Sequence, residues 1–292
     1  MNWEETRLIA AYLEGQGVVG TLIDVGAHSG CSAAPFLESG WTVHAFEPDA
    51  ENCTGLYDLA RVHPGLTVDP RAVSDREAVD VPFYTSPVST GISGLSRFHE
   101  SHREATRVCT TTLSAYCAEQ GIQKVEFLKI DTEGFDLPVL RGFPWEQIRP
   151  GIVLCEFEDW KTRLQGYTLT DIAAFLLEHG YSLMVSEWYP VVEYGREHRW
   201  RRILQYPCAL ADSDAWGNLI AVDGPVDESS WLNASLVMGG QQLEQAKERM
   251  HQVDDQGRKA RESLRVMESS WSWRITRPLR LLSSCCRKER HD

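Results

Sequence analysis

No apolar run in this chain of 292 residues approaches the ~20 needed to cross a bilayer, so no membrane-spanning helix is expected. The opening stretch Met1-Asn2-Trp3-Glu4-Glu5 has acids where a secretory leader carries positive charge, and cytoplasmic placement is the expectation. Paired CxxC spacing is absent among the eight cysteines, Cys31, Cys53, Cys109, Cys117, Cys155, Cys208, Cys285 and Cys286. Several sit inside apolar runs, so reduced thiols are expected rather than zinc ligands or disulfides. Positive charge is scarce: 29 Lys and Arg face 42 Asp and Glu, a net charge of -13. That shortage argues against a nucleic-acid partner, whose phosphates call for clustered Lys and Arg. Hydrophobic residues at 42% and charged ones at 24% sit near globular averages, which rules out collagen-like and wholly disordered chains.

The charge is unevenly spread. Residues 231–292 carry 12 Lys and Arg against 8 Asp and Glu, whereas residues 1–230 carry 17 against 34. An acidic body and a basic tail suggest two parts with separate jobs. The spacing divides the chain into an amphipathic N-terminal helix in 1–20, a body over 21–224 and a helical tail over 225–292. In the body, Thr21–Val25, Thr42–Phe46 and the pair Leu66–Val68 and Arg71–Val73 read as strands, with helices over 31–39 and about 50–61 between them. This βαβαβ alternation implies a parallel sheet with helices on both faces. Residues 81–110, rich in Pro, Gly, Ser and Thr, read as irregular with one strand at 81–84. Apolar runs at Val125–Ile130 and Gly151–Phe157 read as buried strands, and Tyr181–Trp188 and Asn218–Val222 as late ones. In the tail, Leu243, Ala246, Met250, Val253, Ala260, Leu264, Met267 and Trp271 form a heptad seam over about four heptads, with a lapse at Gly257. A coiled coil, and with it a homo-oligomer, is one expectation; a lone amphipathic helix is the other. The basic, aromatic end Trp271–Arg280 suits a membrane surface or an acidic partner, with a solvated tail as the alternative.

The informative stretch is Leu22-Ile23-Asp24-Val25-Gly26-Ala27-His28-Ser29-Gly30, which joins a strand to a helix. A ligand at the carboxyl end of a first strand meets the free amides of the following helix. The dinucleotide pattern G-x-G-x-x-G is not met from Gly26, because His28 and Cys31 stand where glycines are needed. Asp24 would repel a pyrophosphate but suits an amino group. Glu47 ends the second strand, where an acid can accept hydrogen bonds from ribose hydroxyls. Asp24, Gly26, Gly30 and Glu47 together fit an adenosine ligand with a cationic tail, such as S-adenosylmethionine. The fourth strand carries Lys129, Asp131 and Glu133 at its carboxyl end, where unpaired charge is expensive unless a site uses it. Glu156 and Glu158, ending the fifth strand, stand beside the same crevice.

These residues carry a family resemblance. Ile23–His28, Ala45–Pro48, Arg71–Asp75, Thr112-Leu113, Phe127–Gly134 and Glu156 make residues 21–222 similar to the FkbM-type S-adenosylmethionine-dependent methyltransferases. The run Lys129-Ile130-Asp131-Thr132-Glu133-Gly134 is the most specific of these. The resemblance implies an α/β fold of the class I methyltransferase (Rossmann-like) type: a mostly parallel seven-stranded sheet whose last strand is antiparallel. It also implies O-methylation of a hydroxyl, often on a sugar or natural product. By position it puts Asp24, Gly26, Ala27, His28 and Gly30 at the cofactor's amino-acid end, with Asp131. Glu47 and Pro48 fall at the ribose, and Ala72, Val73 and Asp75 near adenine. The end Trp273–Arg280 resembles the C-terminus of many bacterial sugar-transfer and polysaccharide-modifying proteins, which points to surface glycans as acceptors and to glycan-assembly partners at the membrane's inner face.

An alcohol acceptor needs a general base. Glu133, Asp131 and His28 are the candidates in that order, with His99 and His102 as outsiders from the irregular segment. Asp131 and Glu133 are placed to share a divalent metal; no third acid stands at close spacing, so no metal ligand is assigned. Tyr189, Tyr194, Trp200 and Arg201 either stack on a sugar or pack against the late strands. Two other classes remain: a cofactor-binding scaffold without turnover in a glycan-assembly complex, which the intact charged set disfavours, and an NAD-linked oxidoreductase.

Overall fold

The computed structural model describes residues 3–269. Residues 3–236 form one compact unit and 237–269 a second. The first opens with α1 (Glu5–Gly15), which buries Leu8 and Ile9. It continues through β1 (Thr21–Val25), α2 (Ala34–Glu38), β2 (Thr42–Phe46), α3 (Ala50–Val62) and β3 (Leu66–Asp69). A two-residue strand β4 (Ala72–Val73) and the longer β5 (Ala78–Thr85) follow, then a 3-10 turn at Thr90–Ile92 and β6 (Arg103–Thr111). The chain returns through α4 (Leu113–Gln120), β7 (Phe127–Ile130), α5 (Asp136–Arg141), β8 (Ile152–Phe157), α6 (Asp159–Thr162) and α7 (Leu169–Glu178). It ends in β9 (Tyr181–Trp188), β10 (Trp200–Gln205), β11 (Trp216–Asp223) and α8 (Glu228–Ser269).

Local chemistry sets several helix ends. Asp49 caps α3 by accepting from the Glu51 amide at 2.9 Å. Thr112 caps α4 through the Ala115 amide at 3.0 Å, and Gly121, at φ 67°, ends it in the left-handed region. Thr168 and Asp171 form a reciprocal capping box on α7.

The main sheet has eight strands in the order β10-β9-β11-β8-β7-β1-β2-β3. Strands β3, β2, β1, β7 and β8 run parallel. The last strand, β11, is antiparallel to both β8 and β9, as expected. The strand count corrects the expectation of seven: residues 200–205 add β10, antiparallel to β9, at the edge. The irregular segment also holds more order than expected. Residues 72–73 leave the third strand to join a separate three-stranded sheet, β4-β6-β5. The core packs Ile23, Val25, Leu128 and Ile130 of β1 and β7 against Leu113, Leu137 and Leu176. The six described cysteines, Cys31 to Cys208, are free thiols.

In the second unit the described helix continues to Ser269 with exposed ion pairs Lys247–Glu244 at 2.6 Å and Arg258–Asp255 at 2.9 Å. The side chains of the expected heptad seam, and the basic aromatic end, lie outside the described residues. No helix among the described residues is long and apolar enough to cross a membrane.

Candidate active site

From β1 the chain runs to β2 and β3 on one side, and later to β7 and β8 on the other. Such a reversal opens a crevice beyond the carboxyl ends of the strands. Here it is a cavity of about 470 Å³, within the range of small-molecule sites. Gly26, just after β1, has φ +78° and presses on Asp131, just after β7. The Gly26 and Ala27 amides both donate to the Phe46 carbonyl at 3.0 Å, and the Asp131 amide donates to Val25 at 3.0 Å. Three strand ends are thus tied by main chain before any side chain enters.

Asp24 does not reach the cavity. It is fully buried, accepts from the Ser32 hydroxyl at 2.6 Å and pairs with Lys129 at 3.0 Å. The sheet register explains this: Asp24 stands beside Lys129 in the parallel ladder, so the two side chains leave the same face. Lys129 also reaches the Gly26 carbonyl at 3.2 Å and Asp131 at 3.5 Å. Asp24 and Lys129 therefore hold the turn and Asp131 rather than touch a ligand. Gly30 and Ala27 pack behind the turn, Gly30 against Leu56 and Leu59. Asp75 is exposed and also outside the lining.

Gly26, His28, Glu47, Pro48, Ala72 and Val73 do line the cavity. Glu47 is 5% exposed, and its two oxygens accept from the His28 amide at 2.9 Å and the Asp49 amide at 2.8 Å. Burial pushes its carboxyl up to about 7, against the pull of those amides. The His28 ring bridges to Thr90 at 3.0 Å and Ser29 at 3.2 Å, so His28 belongs to the Glu47 wall.

The opposite wall is acidic. Asp131, Glu133 and Glu156 offer carboxylate oxygens within 4.8 Å of one another. The turn carrying the first two is held from behind by buried Asp136. That carboxylate accepts from the Thr132 amide at 2.9 Å, the Thr132 hydroxyl at 3.0 Å and the Gly134 amide at 3.3 Å. Glu133, at φ 57°, forms an ion pair with Lys161. Lys161 is 2% exposed, pairs with Glu158 as well, and lies under the rings of Phe98 at 5.0 Å and Tyr194 at 5.5 Å. Burial pushes Glu133 up to about 7 despite Lys161, and pushes Glu156 well above the usual carboxylate range.

Two ionisable residues of the cavity, Lys161 and His198, are not among the candidates read from the sequence. Lys161 follows Glu158 by three positions on a four-residue helix, a spacing that could have flagged it. His198 lines the cavity edge-on to Trp216 at 5.1 Å, and burial lowers its pKa. His99 and His102, by contrast, stay outside the lining, with His102 buried against Phe98 at 4.6 Å. Of the four aromatic and basic candidates, Tyr194 alone lines the cavity. Trp200 stacks on Trp3 at 3.9 Å, and Arg201 covers Tyr189 at 4.1 Å.

Comparison with solved structures finds similarity at low identity. A precorrin-6y C5,15-methyltransferase from Geobacter metallireducens GS-15 is 11% identical, with 77% of this chain and 90% of that chain covered and a TM-score of 0.40. The C-terminal domain of the precorrin-6Y C5,15-methyltransferase from Rhodobacter capsulatus is 14% identical, with 77% and 90% covered and a TM-score of 0.37. A precorrin 8w decarboxylase from Methanobacterium thermoautotrophicum is 13% identical, with 76% and 91% covered and a TM-score of 0.38. Among curated proteins no match is found. Residues 24–183, more than half of the chain, match the Methyltransferase FkbM domain. They hold the glycine turn, the Glu47 wall and the whole acidic wall just described, and the chain belongs to the FkbM methyltransferase family.

Proposed function

We propose that this protein transfers the methyl group of S-adenosylmethionine to a hydroxyl of a sugar or glycan. The observation that carries the O-methyl reading is the acidic wall of Asp131, Glu133 and Glu156 facing the Glu47 wall across one cavity. The residues present fit the cofactor. Buried Glu47 suits ribose hydroxyls, apolar Phe46, Ala72 and Val73 suit a flat base, and half-exposed Asp131 suits an ammonium. S-adenosylmethionine, when bound, supplies an electrophilic methyl group.

The chain's own residues then have three tasks. The glycine turn and Glu47 align the donor, and alignment alone contributes ~7–11 kcal/mol of a barrier. The acidic wall takes the acceptor's proton. Glu133 is the base, because a carboxyl near pH 7 stays basic enough to accept a proton and ionised enough to be ready. Asp131, tied to Lys129, and His28, tied to Glu47, serve the cofactor side. Tyr194 and Trp216 close the cavity with aromatic surface of the kind on which a sugar ring stacks.

The tail, residues 225–292, is proposed to bring the enzyme to an acidic membrane surface or a glycan-assembly partner, and to self-associate if the heptad seam pairs. Calorimetry with S-adenosylmethionine, followed by methyl transfer to candidate sugars, tests the core proposal. Binding without transfer to any acceptor would favour a scaffold, and absence of binding would reject the reading. Deleting residues 231–292 is expected to lower the number of chains per particle in light scattering, and an unchanged number rejects the seam.

A further inference from the structure

We infer that His198 selects the acceptor, by hydrogen-bonding a hydroxyl of an uncharged sugar ring held beside Trp216. The loop that joins β9 to β10, residues 189–199, lies beyond the stretch 24–183 that matches the family. Val191, Tyr194, Gly195 and His198 of this loop line the cavity. The loop is firmly seated. Its neck is closed by the Tyr189 amide, which donates to the Arg199 carbonyl at 3.0 Å. The Trp216 indole donates to the Tyr189 carbonyl, also at 3.0 Å. At the tip, a β-carbon added to Gly195 would lie 3.2 Å from the Val88 carbonyl oxygen, so the loop leans on the stretch that carries Thr90.

His198 is the uncommitted polar group of this loop. Of the two imidazoles that line the cavity, His28 is taken up by Thr90 and Ser29. The His198 ring makes no hydrogen bond or ion pair among the described residues, and neither of its nitrogens is sealed from solvent. Glu158 and Lys161, the charges that act on it, are paired with each other. The ring stands edge-on to Trp216, at 5.1 Å and 77°, which fixes its plane beside an apolar surface. Burial lowers its pKa, so it is neutral at pH 7 and offers one donor and one acceptor, the pair that a hydroxyl uses. The Tyr194 hydroxyl, by contrast, is sealed, so Tyr194 offers the cavity its ring.

The charge of the lining excludes an anionic sugar. Arg71 and Lys161 are its cations among the described residues, and both are engaged, Arg71 by Asp69 and Glu119, Lys161 by Glu133 and Glu158. A uronate or a phosphate would meet Glu47 and the acidic wall with no free cation to answer it. A hydroxyl is recognised differently: a site built to hydrogen-bond it rejects the analogue that lacks it. His198 therefore decides which sugar rings settle in the cavity. That the settled sugar is a methyl acceptor rests on the reading proposed above; that it binds at His198 does not.

The test is saturation-transfer difference NMR on the full chain, with and without S-adenosylhomocysteine, using the methyl α-glycosides of glucose, mannose, galactose and rhamnose. S-adenosylmethionine calorimetry is run on the same preparations. At least one glycoside is expected to bind saturably in the millimolar range. His198→Phe keeps the ring against Trp216 and should weaken that binding roughly tenfold, the worth of one hydrogen bond. His198→Gln, which can still donate and accept, should restore it to within about threefold, and the exposed change Glu197→Gln should leave it intact. Cofactor affinity should be the same in all of them. The methyl glycoside of glucuronic acid should bind more weakly than that of glucose. Should His198→Phe fail to fold by circular dichroism, His198→Ala takes its place with the same expectation. No glycoside binding, binding unchanged in His198→Phe, an equal loss in His198→Gln, or tighter binding of the glucuronide overturns the proposal. Cofactor binding with glycoside affinity indifferent to His198 overturns the proposal alone and leaves the methyltransferase reading standing. Glycoside binding that depends on His198, without cofactor binding, does the reverse.

Discussion

The β-carbon that Gly26 lacks would lie 1.8 Å from the backbone carbonyl oxygen of Asp131. The turn after β1 and the acid after β7 therefore share one van der Waals surface, and the cofactor wall cannot move without the acidic wall. Any side chain at position 26 has to part the two strand ends.

Gly26→Ala is expected to destabilise the fold by ~3 kcal/mol or more, as strain at positive φ contributes ~1–2 kcal/mol and the clash adds to it. Gly40→Ala is the control. Its φ is +80°, yet nothing lies within 4 Å of the added carbon, so only the strain should appear. Urea unfolding of the pair isolates the contact term, and calorimetry should show cofactor affinity lost in the first and kept in the second.

Lys161→Met removes the ammonium shared by Glu133 and Glu158 and leaves two buried carboxylates unpaired. Breaking a buried pair from one side costs ~3–5 kcal/mol. Glu133, already pushed up by burial, sheds its charge by taking up a proton, so the loss should be larger at pH 8 than at pH 5. Urea midpoints at the two pH values check this, and an equal loss at both would mean that Lys161 acts by packing alone.

How far such residues can be seen in advance depends on what the sequence encodes locally. β7 and β8 are legible because both are apolar runs ending in acids, and buried parallel strands read that way. β6 is not, because most of its residues are exposed and no apolar alternation marks it. β10 fails for a related reason: at the sheet edge its residues are half-buried or exposed, with no alternation. The same limit governs the site. Asp24 is legible as an acid before the turn, but its direction follows from its ladder partner Lys129, which lies 105 positions on and is visible only once β1 and β7 are paired. Lys161 sits on a four-residue helix too short to show a period. Glu47 needs no such pairing, since the end of its own strand delivers it.

Glu47 sets a pH dependence of its own. Its carboxyl rises from an ordinary 4.5 to about 7 on folding. A raised carboxyl keeps its proton in the folded state, so stability is full below pH 4.5 and falls as pH rises toward 7, by up to about 3 kcal/mol from this group. Glu47→Gln should remove that slope in urea unfolding between pH 5 and 8. Ribose hydroxyls need the ionised form as acceptor, so cofactor affinity in the unaltered protein should rise with pH through about 7. A flat affinity profile would take Glu47 out of the cofactor site.

Glu133→Gln separates binding from chemistry. The change keeps size and polarity but cannot accept a proton. Cofactor affinity should stay within about threefold, because the Glu47 wall and the glycine turn are untouched, while turnover should fall by ~100–10,000-fold, the usual contribution of a general base. The pH profile gives the sharper readout. Burial holds the Glu133 carboxyl at about 7, and the ionised form is the active one. The rate of the unaltered protein should therefore climb about tenfold per pH unit below 7 and level off above it. In Glu133→Gln the residual rate should lose that limb. Should Lys161 set the ionisation of Glu133, Lys161→Met should move the limb to higher pH, because the ammonium that lowers the Glu133 carboxyl is gone. A Glu133→Gln enzyme with unchanged turnover and an unchanged limb would assign the proton to another group of the acidic wall.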